Sequence, residues 1–201
     1  GGVFYPGQGQ IEPLPFVKSL AAQAAALGAT FLPGTEVFEF EIDGRRIRSV
    51  HTTQGSIEAD EIVLAAGAWT RDISKKIGVE APIEAGKGYA LIYDQPEQMP
   101  TAPLLLVEGR VAITPRNGSI RCAGTMELGG MNDSITPRRV RAIARTTTEY
   151  MDLCTETRSP VEVWRGMRPC TPDGLPMIGR SSRYQNLILA AGHAMLGLMS
   201  S

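Results

Sequence analysis

Two short apolar runs constrain this chain more than any other feature. Residues 62–67 read Ile-Val-Leu-Ala-Ala-Gly and residues 187–192 read Leu-Ile-Leu-Ala-Ala-Gly. Apolarity without alternation marks a strand covered on both faces, as in a parallel sheet. Such a strand needs parallel neighbours on both sides, and two candidates do not complete a sheet. The order of elements therefore reads as one that starts in the middle of a fold. Each run ends in glycine and precedes a candidate helix start, where exposed backbone N–H groups can meet an anionic ligand. Dinucleotide sites at the carboxyl ends of parallel strands use that logic. The same residues also read as close strand–helix packing with no ligand.

The rest of the chain alternates between helical and strand periods. Residues 1–12 are glycine-rich and read as a short strand and loop. Pro13 suits a first helical turn, and Phe16, Val17, Leu20, Ala21, Ala24 and Leu27 follow at helical spacing up to Gly28. The alanines between 21 and 29 suggest a thin helix packed closely on a sheet. From Thr35 the period becomes two, with turns at Asp43-Gly44 and Gln54-Gly55. A short helix is expected after Gly67, through Ile73 and Ile77. Residues 86–125 alternate between strands and turns. Thr136-Pro137 opens a helix whose apolar stripe runs from Val140 to Cys154. A strand over 161–167, a proline-rich turn and a strand over 187–191 close the chain, with "GHAMLG" expected to start a last helix.

Composition excludes several classes. A formal charge of −1, with 43% hydrophobic and 20% charged residues among 201, fits a globular protein with one sizeable core or two small ones. There is no basic block for nucleic acid. No apolar stretch approaches the roughly 20 residues of a membrane span, since Gly192 and His193 interrupt the longest candidate. Cys122, Cys154 and Cys170 are odd in number and widely spaced, which favours free thiols in a reducing compartment. His51 and His193 are the only histidines and neither has a partner at metal-ligand spacing, so no metal is expected.

One charge is oddly placed. Arg168 lies between a strand and the stiff sequence Pro169-Cys-Thr-Pro-Asp-Gly. A guanidinium held beside a proline is a good bidentate receptor for a carboxylate. A clamp to Asp173 within the turn would satisfy the same charge, and spacing does not separate the two readings. His193 has no acid–base partner in view, and Tyr89 and Tyr150 read as core or boundary aromatics.

The combined pattern "VLAAGAW", "GKGY", "GMRPCTPDGLPMIG" and "NLILAAGHAMLG" resembles the flavin-dependent D-amino-acid dehydrogenases, within the wider family of glycine oxidase, sarcosine oxidase and D-amino-acid oxidase. "GGVFYPGQGQIEPLPFVKSLA" and "VAITPRNGSIRCAGTMELGG" are similar to that branch too, so the likeness covers nearly the whole chain. The resemblance implies an α/β fold: part of an FAD-binding domain with parallel strands, plus an antiparallel substrate-domain sheet. Residues 11–85 would belong to the FAD-binding domain and 86–167 to the substrate domain, with 1–10 adjoining it. Residues 168–201 would return to the FAD-binding domain. The family's G-x-G-x-x-G turn is not in this sequence, so the chain is expected to be an interior-to-C-terminal portion of a longer enzyme.

By the same resemblance, Arg168 pairs with the substrate carboxylate beneath the flavin. Val37 would touch the adenosine side of FAD, Ala66 and Gly67 would lie close by, and Gly192, His193, Ala194, Met195, Leu196, Gly197, Leu198 and Met199 would run along the flavin. The implied reaction is oxidative deamination of a D-amino acid to a 2-oxo acid and ammonia, with hydride transfer to flavin and no side-chain acid or base. Electrons would pass to a quinone or other acceptor, in the cytoplasm or at the inner face of the membrane. An oxygen-using amine or glycine oxidase and a non-catalytic truncated or partner chain are the alternatives. Two residues depart from the pattern. Ala194 stands where the dehydrogenase branch has glycine, and Ala112 stands where glycine oxidase has a substrate-site tyrosine.

Overall fold

The computed structural model describes every residue except 8, 95, 97, 98, 152–157 and 199–201. Residues 1–7 form no strand, in contrast to the sequence expectation. Helix α1 spans Pro13–Ala26 and begins with proline in its first turn. It stops at Gly28, whose φ of 97° only glycine adopts without strain, and the N–H groups of Gly28 and Ala29 return to Ala25 O and Ala24 O. No α1 residue is buried. The apolar face foreseen from spacing is there, but no described element covers it.

Strands β1 (Val37–Asp43), β2 (Arg46–Thr52) and β3 (Gly55–Glu58) form an antiparallel meander, turning at Gly44 and Gly55. Strand β4 (Ile62–Leu64) leads through a 3-10 turn (Gly67–Trp69) into helix α2 (Thr70–Lys76). Strand β5 (Glu84–Asp94) is almost wholly buried. Strands β6 (Leu104–Leu106), β7 (Val111–Arg116) and β8 (Ser119–Leu128) precede helix α3 (Pro137–Tyr150). The helix ends at Tyr150 rather than continuing to Cys154, which lies outside the described residues. Strands β9 (Glu162–Cys170), β10 (Met177–Arg180) and β11 (Leu187–Ala191) complete the chain.

The α/β expectation holds. Strands β6-β7-β8-β5-β9 make a five-stranded antiparallel sheet, and β10-β11-β4 make a mixed one. The two Ala-Ala-Gly runs are parallel neighbours, with Ile62, Val63 and Leu64 opposite Leu187, Ile188 and Leu189. Ile47, Leu64, Ile77, Val79, Tyr184 and Leu187 form the core beneath them. Asn186 binds this core to the meander: its Oδ1 accepts from Ile47 N–H at 3.0 Å and its Nδ2 donates to Ile47 O at 2.8 Å. That buried amide substitutes for a strand rung.

On the five-stranded sheet, Tyr89, Leu91, Tyr93, Ile113, Ile120 and Cys122 pack with Ile143 of α3. Side chains alternate along a strand, so Lys87 shares the α3 side with them, while Gly86, Gly88, Ala90 and Ile92 face the other way. That second face carries the candidate site.

Candidate functional site

Strand pairing decides what Arg168 can reach. On β9 it stands opposite Gly86 of β5, with Gly166 opposite Gly88. A Cβ at Gly88 would collide with the guanidinium of Arg168. The guanidinium therefore lies flat on bare backbone, an approach only glycine permits. Its Nη1 donates to Thr125 O at 3.0 Å. Thr125 sits in β8 near the point where its register with β5 shifts, and has φ of 64°, an outlier for a β-branched residue. Its buried Oγ1 has no hydrogen-bond partner. The arginine anchor is thus a strained backbone carbonyl rather than an acid.

Among the described residues, no carboxylate pairs with Arg168. The clamp to Asp173 does not form: Asp173 Oδ1 accepts from Leu175 N–H at 3.1 Å, inside its own turn. That turn is also tied by Thr171 Oγ1 donating to Leu175 O at 2.8 Å. Burial lowers the guanidinium pKa below its ordinary value, while it remains charged. A fixed, charged fork with open donors results, suited to an incoming carboxylate.

The end of β9 also holds the segment after β11. Cys170 and His193 form an isolated antiparallel bridge, and Ala194 N–H donates to Pro169 O at 2.9 Å. Residues 193–198 do not form the helix start expected from "GHAMLG". Gly192 has φ of 85° and Ala194 φ of 47°, and this left-handed geometry diverts the chain toward β9. A left-handed alanine is strained, which gives a physical reason for glycine at this position. Leu196 N–H returns to His193 O at 2.8 Å, while Met195 and Leu196 expose their side chains. The 3-10 turn from Gly67 packs on β9 as well. Hence Ala66-Gly67, the 192–198 segment and Arg168 converge at one corner of the molecule. Met199 lies outside the described residues.

Residues 1–201, the whole chain, match the family described as FAD dependent oxidoreductase. The chain belongs to this family. It is 33% identical over 199 residues to the D-amino acid dehydrogenase of Agrobacterium fabrum, covering 98% of this chain and 47% of that protein. The D-amino acid dehydrogenase of Vibrio atlanticus is matched at the same identity and coverage. The chain therefore spans about half the length of the curated relatives it matches. Among solved structures, L-proline dehydrogenase from P. horikoshii superimposes with a TM-score of 0.82 at 27% identity, over 93% of this chain and 51% of that one. Glycine oxidase from Geobacillus kaustophilus gives 0.76 at 26% identity, over 90% and 49%.

The family depends on FAD, and the residues here suit part of such a site. The two parallel strands end side by side in left-handed glycines, Gly67 at φ 54° and Gly192 at φ 85°. A Cβ on Gly67 would meet nothing within 4 Å, so the backbone there is open to a ligand. Val37 lines one apolar cleft of about 310 Å³ with Ala65 and Ala66. The structure thus joins Val37 with Ala66, and sets His193 and Ala194 against Pro169 and Cys170, next to Arg168 in the chain. His193 makes no acid–base pair, and His51 bonds Ser56 Oγ at 2.6 Å on the meander. Tyr89 is a core residue whose hydroxyl donates to Glu127 at 3.1 Å. Among the described residues, no group of three or more His, Cys, Asp or Glu is placed to hold a metal, and no helix is long and apolar enough to cross a membrane.

Sequence reasoning overlooked Gly88, Thr125 and the buried cation Lys87. The string Gly-Lys-Gly-Tyr held a usable signal, because strand alternation puts both glycines on one face and Lys87 and Tyr89 on the other. Nothing comparable in the sequence marks Thr125, since its backbone strain arises from a register shift between paired strands.

Proposed function

We propose that the protein carrying this chain oxidatively deaminates D-amino acids with FAD, and that Arg168 holds the substrate α-carboxylate. One observation carries the reading: a half-buried guanidinium, laid over Gly88 and without a carboxylate partner among the described residues, close in the chain to the strand end that holds His193 and Ala194. The D-amino acid dehydrogenase relatives support a D-amino acid as substrate, and the proposal extends to an electron acceptor of quinone type. On this reading residues 11–85 and 168–201 serve FAD and residues 86–167, with 1–10, serve the substrate.

When bound, FAD supplies the two-electron acceptor for the Cα–H hydride, and water hydrolyses the resulting imine to a 2-oxo acid and ammonium. The chain contributes orientation. The Arg168 fork fixes the carboxylate in one plane, and Thr125 O and Gly88 keep the fork itself from turning. No side chain of the site is positioned as an acid or base, and hydride transfer from a neutral amine needs none. Gly67, Gly192 and the backbone from His193 to Leu198 would line the flavin, with Val37 and Ala66 toward its adenosine end.

The test is anaerobic mixing of the flavin-loaded protein with D-alanine and, separately, L-alanine. Bleaching of the visible flavin band by D-alanine is the expected result, and bleaching by L-alanine alone would overturn the reading. Arg168→Ala should raise the D-alanine concentration needed by roughly a hundredfold while flavin stays bound. Loss of flavin with unchanged D-alanine affinity would remove Arg168 from its role. Reoxidation by a soluble quinone without peroxide is expected; rapid peroxide formation in air would instead indicate an oxidase.

A further inference from the structure

A second arginine on the same sheet face is also without a paired carboxylate among the described residues. Arg121 of β8 stands opposite Ile92 of β5 and Thr114 of β7. Its guanidinium lies over the Trp164 ring at 5.8 Å, and among the described residues it has no hydrogen bond or ion pair. Burial is the main cause that lowers its pKa, with the like charges of Arg116 and Arg168 adding to it and the carboxylate of Glu12 opposing it. Arg121 and Arg168 lie on the same face of the sheet, on the two strands that flank β5.

A Cβ at Gly166 would collide with the Trp164 indole, so the ring lies back over Gly166. Gly166 pairs with Gly88, the residue beneath the Arg168 guanidinium. The indole thus has Arg168 near one end and Arg121 stacked upon it. Small residues floor the strip between them, with Ala90, Ala123 and Ala112 side by side across β5, β8 and β7.

A cleft of about 540 Å³ opens over Arg121, bounded by Ile92, Thr114 and Trp164 and closed by Gln10 and Glu12 of the N-terminal strap. The other charges around it do not satisfy Arg121. Glu12 is committed to Arg116, at 2.9 Å to Nη2 and 3.1 Å to Nε. Glu162 lies on the rim, exposed, on the far side of Ile92 from Arg121. A stacked, half-buried guanidinium with its donors open toward a cleft is a receptor for an anion.

The geometry points to a substrate with two carboxylates: a D-amino acid with an acidic side chain, its α-carboxylate on Arg168 and its distal carboxylate on Arg121. This rests on the proposed deaminase reading and goes beyond it by naming the substrate class. Ala112 leaves room for the longer side chain, and the two cations together discriminate against zwitterionic substrates that present only one anion.

The experiment compares D-glutamate and D-aspartate with D-alanine as reductants of the flavin-loaded, full-length protein, for wild type, Arg121→Met and Arg121→Lys. Binding of glutarate against butyrate, followed by calorimetry, supplies a readout independent of turnover. Wild type should favour an acidic substrate over D-alanine in kcat/KM, and glutarate over butyrate in affinity, by roughly tenfold or more. Arg121→Met should collapse both ratios toward one, and Arg121→Lys should restore part of each. An unchanged ratio in Arg121→Met, or a wild-type preference for D-alanine, would overturn the inference and leave the deaminase reading standing. Reduction by no D-amino acid would overturn both.

Discussion

The two faces of strand β5 carry buried cations that are treated in opposite ways. On the α3 side, Lys87 is fully buried, and its ammonium meets Asn132 Oδ1 at 2.6 Å, Ser134 O at 2.8 Å and Glu127 Oε1 at 3.3 Å. Glu127 is held in turn by Tyr89, Thr136 and Arg139. Burial works against that carboxylate, but the hydrogen bonds from Lys87, Tyr89 and Thr136 outweigh it and hold its pKa below the usual range. On the opposite face, Arg168 gives one N–H to Thr125 O and, among the described residues, meets no acid. A buried charge is tolerated when its donors are satisfied. The lysine network is closed and serves the fold. The arginine is left open, which leaves its remaining donors for the carboxylate proposed above.

The largest expected effect breaks the closed face. Lys87→Ala removes the buried member of this network, takes the donor from Asn132 Oδ1 and Ser134 O and opens a cavity beneath α3. Thermal unfolding should show it as a large fall in Tm. An unchanged Tm would mean the network contributes little and the contrast between faces is false.

The open face responds differently. Gly88→Ala drives a methyl into the Arg168 guanidinium, so the fork must lift from its seat. Substrate affinity should fall by roughly tenfold to a hundredfold, with little loss of Tm. If Gly88→Ala instead lowers Tm as much as Lys87→Ala and leaves KM alone, Gly88 is a packing residue and the two faces are alike.

The smallest effect sharpens the description of the closed face. Burial pushes the Cys122 thiol from 9.0 up to about 11 and the Tyr93 hydroxyl from 10.0 up to about 12. Between those limits the unfolded chain has released protons that the folded chain still holds, so stability falls as pH rises. It should be independent of these groups below about pH 9 and decline between about pH 9 and 12. Denaturant melts across that range would check it, and Cys122→Ser should remove part of the slope.

Much of the fold was legible because its signals are local. The glycines at positions 28, 44, 55 and 67 fall where helix, turns and parallel strand end, and each has a positive φ. The two Ala-Ala-Gly strings identified the parallel pair. Two local readings failed because a non-local contact prevailed. The helix expected from "GHAMLG" is displaced by the Ala194 N–H bond to Pro169 O. The Arg168–Asp173 clamp loses to Thr125 O, a partner 43 residues away in sequence.

What the sequence by itself determined is where α1 starts and stops, where most strands and their turns lie, and that a cation stands beside a rigid turn. Spacing and composition act over a few residues, so those features needed no knowledge of neighbours. Tertiary structure alone decided that Arg168 would rest on Gly88, that Trp164 would lie back over Gly166, and that Arg121 would stack upon its ring. The physical reason is strand register. A slip of one residue between β5 and β9 would turn the glycines away from the arginine and put Lys87 beneath it. Nothing in the string of letters states the pairing of Gly86 with Arg168; it follows from packing the whole sheet against α3 on one side and leaving the other side open.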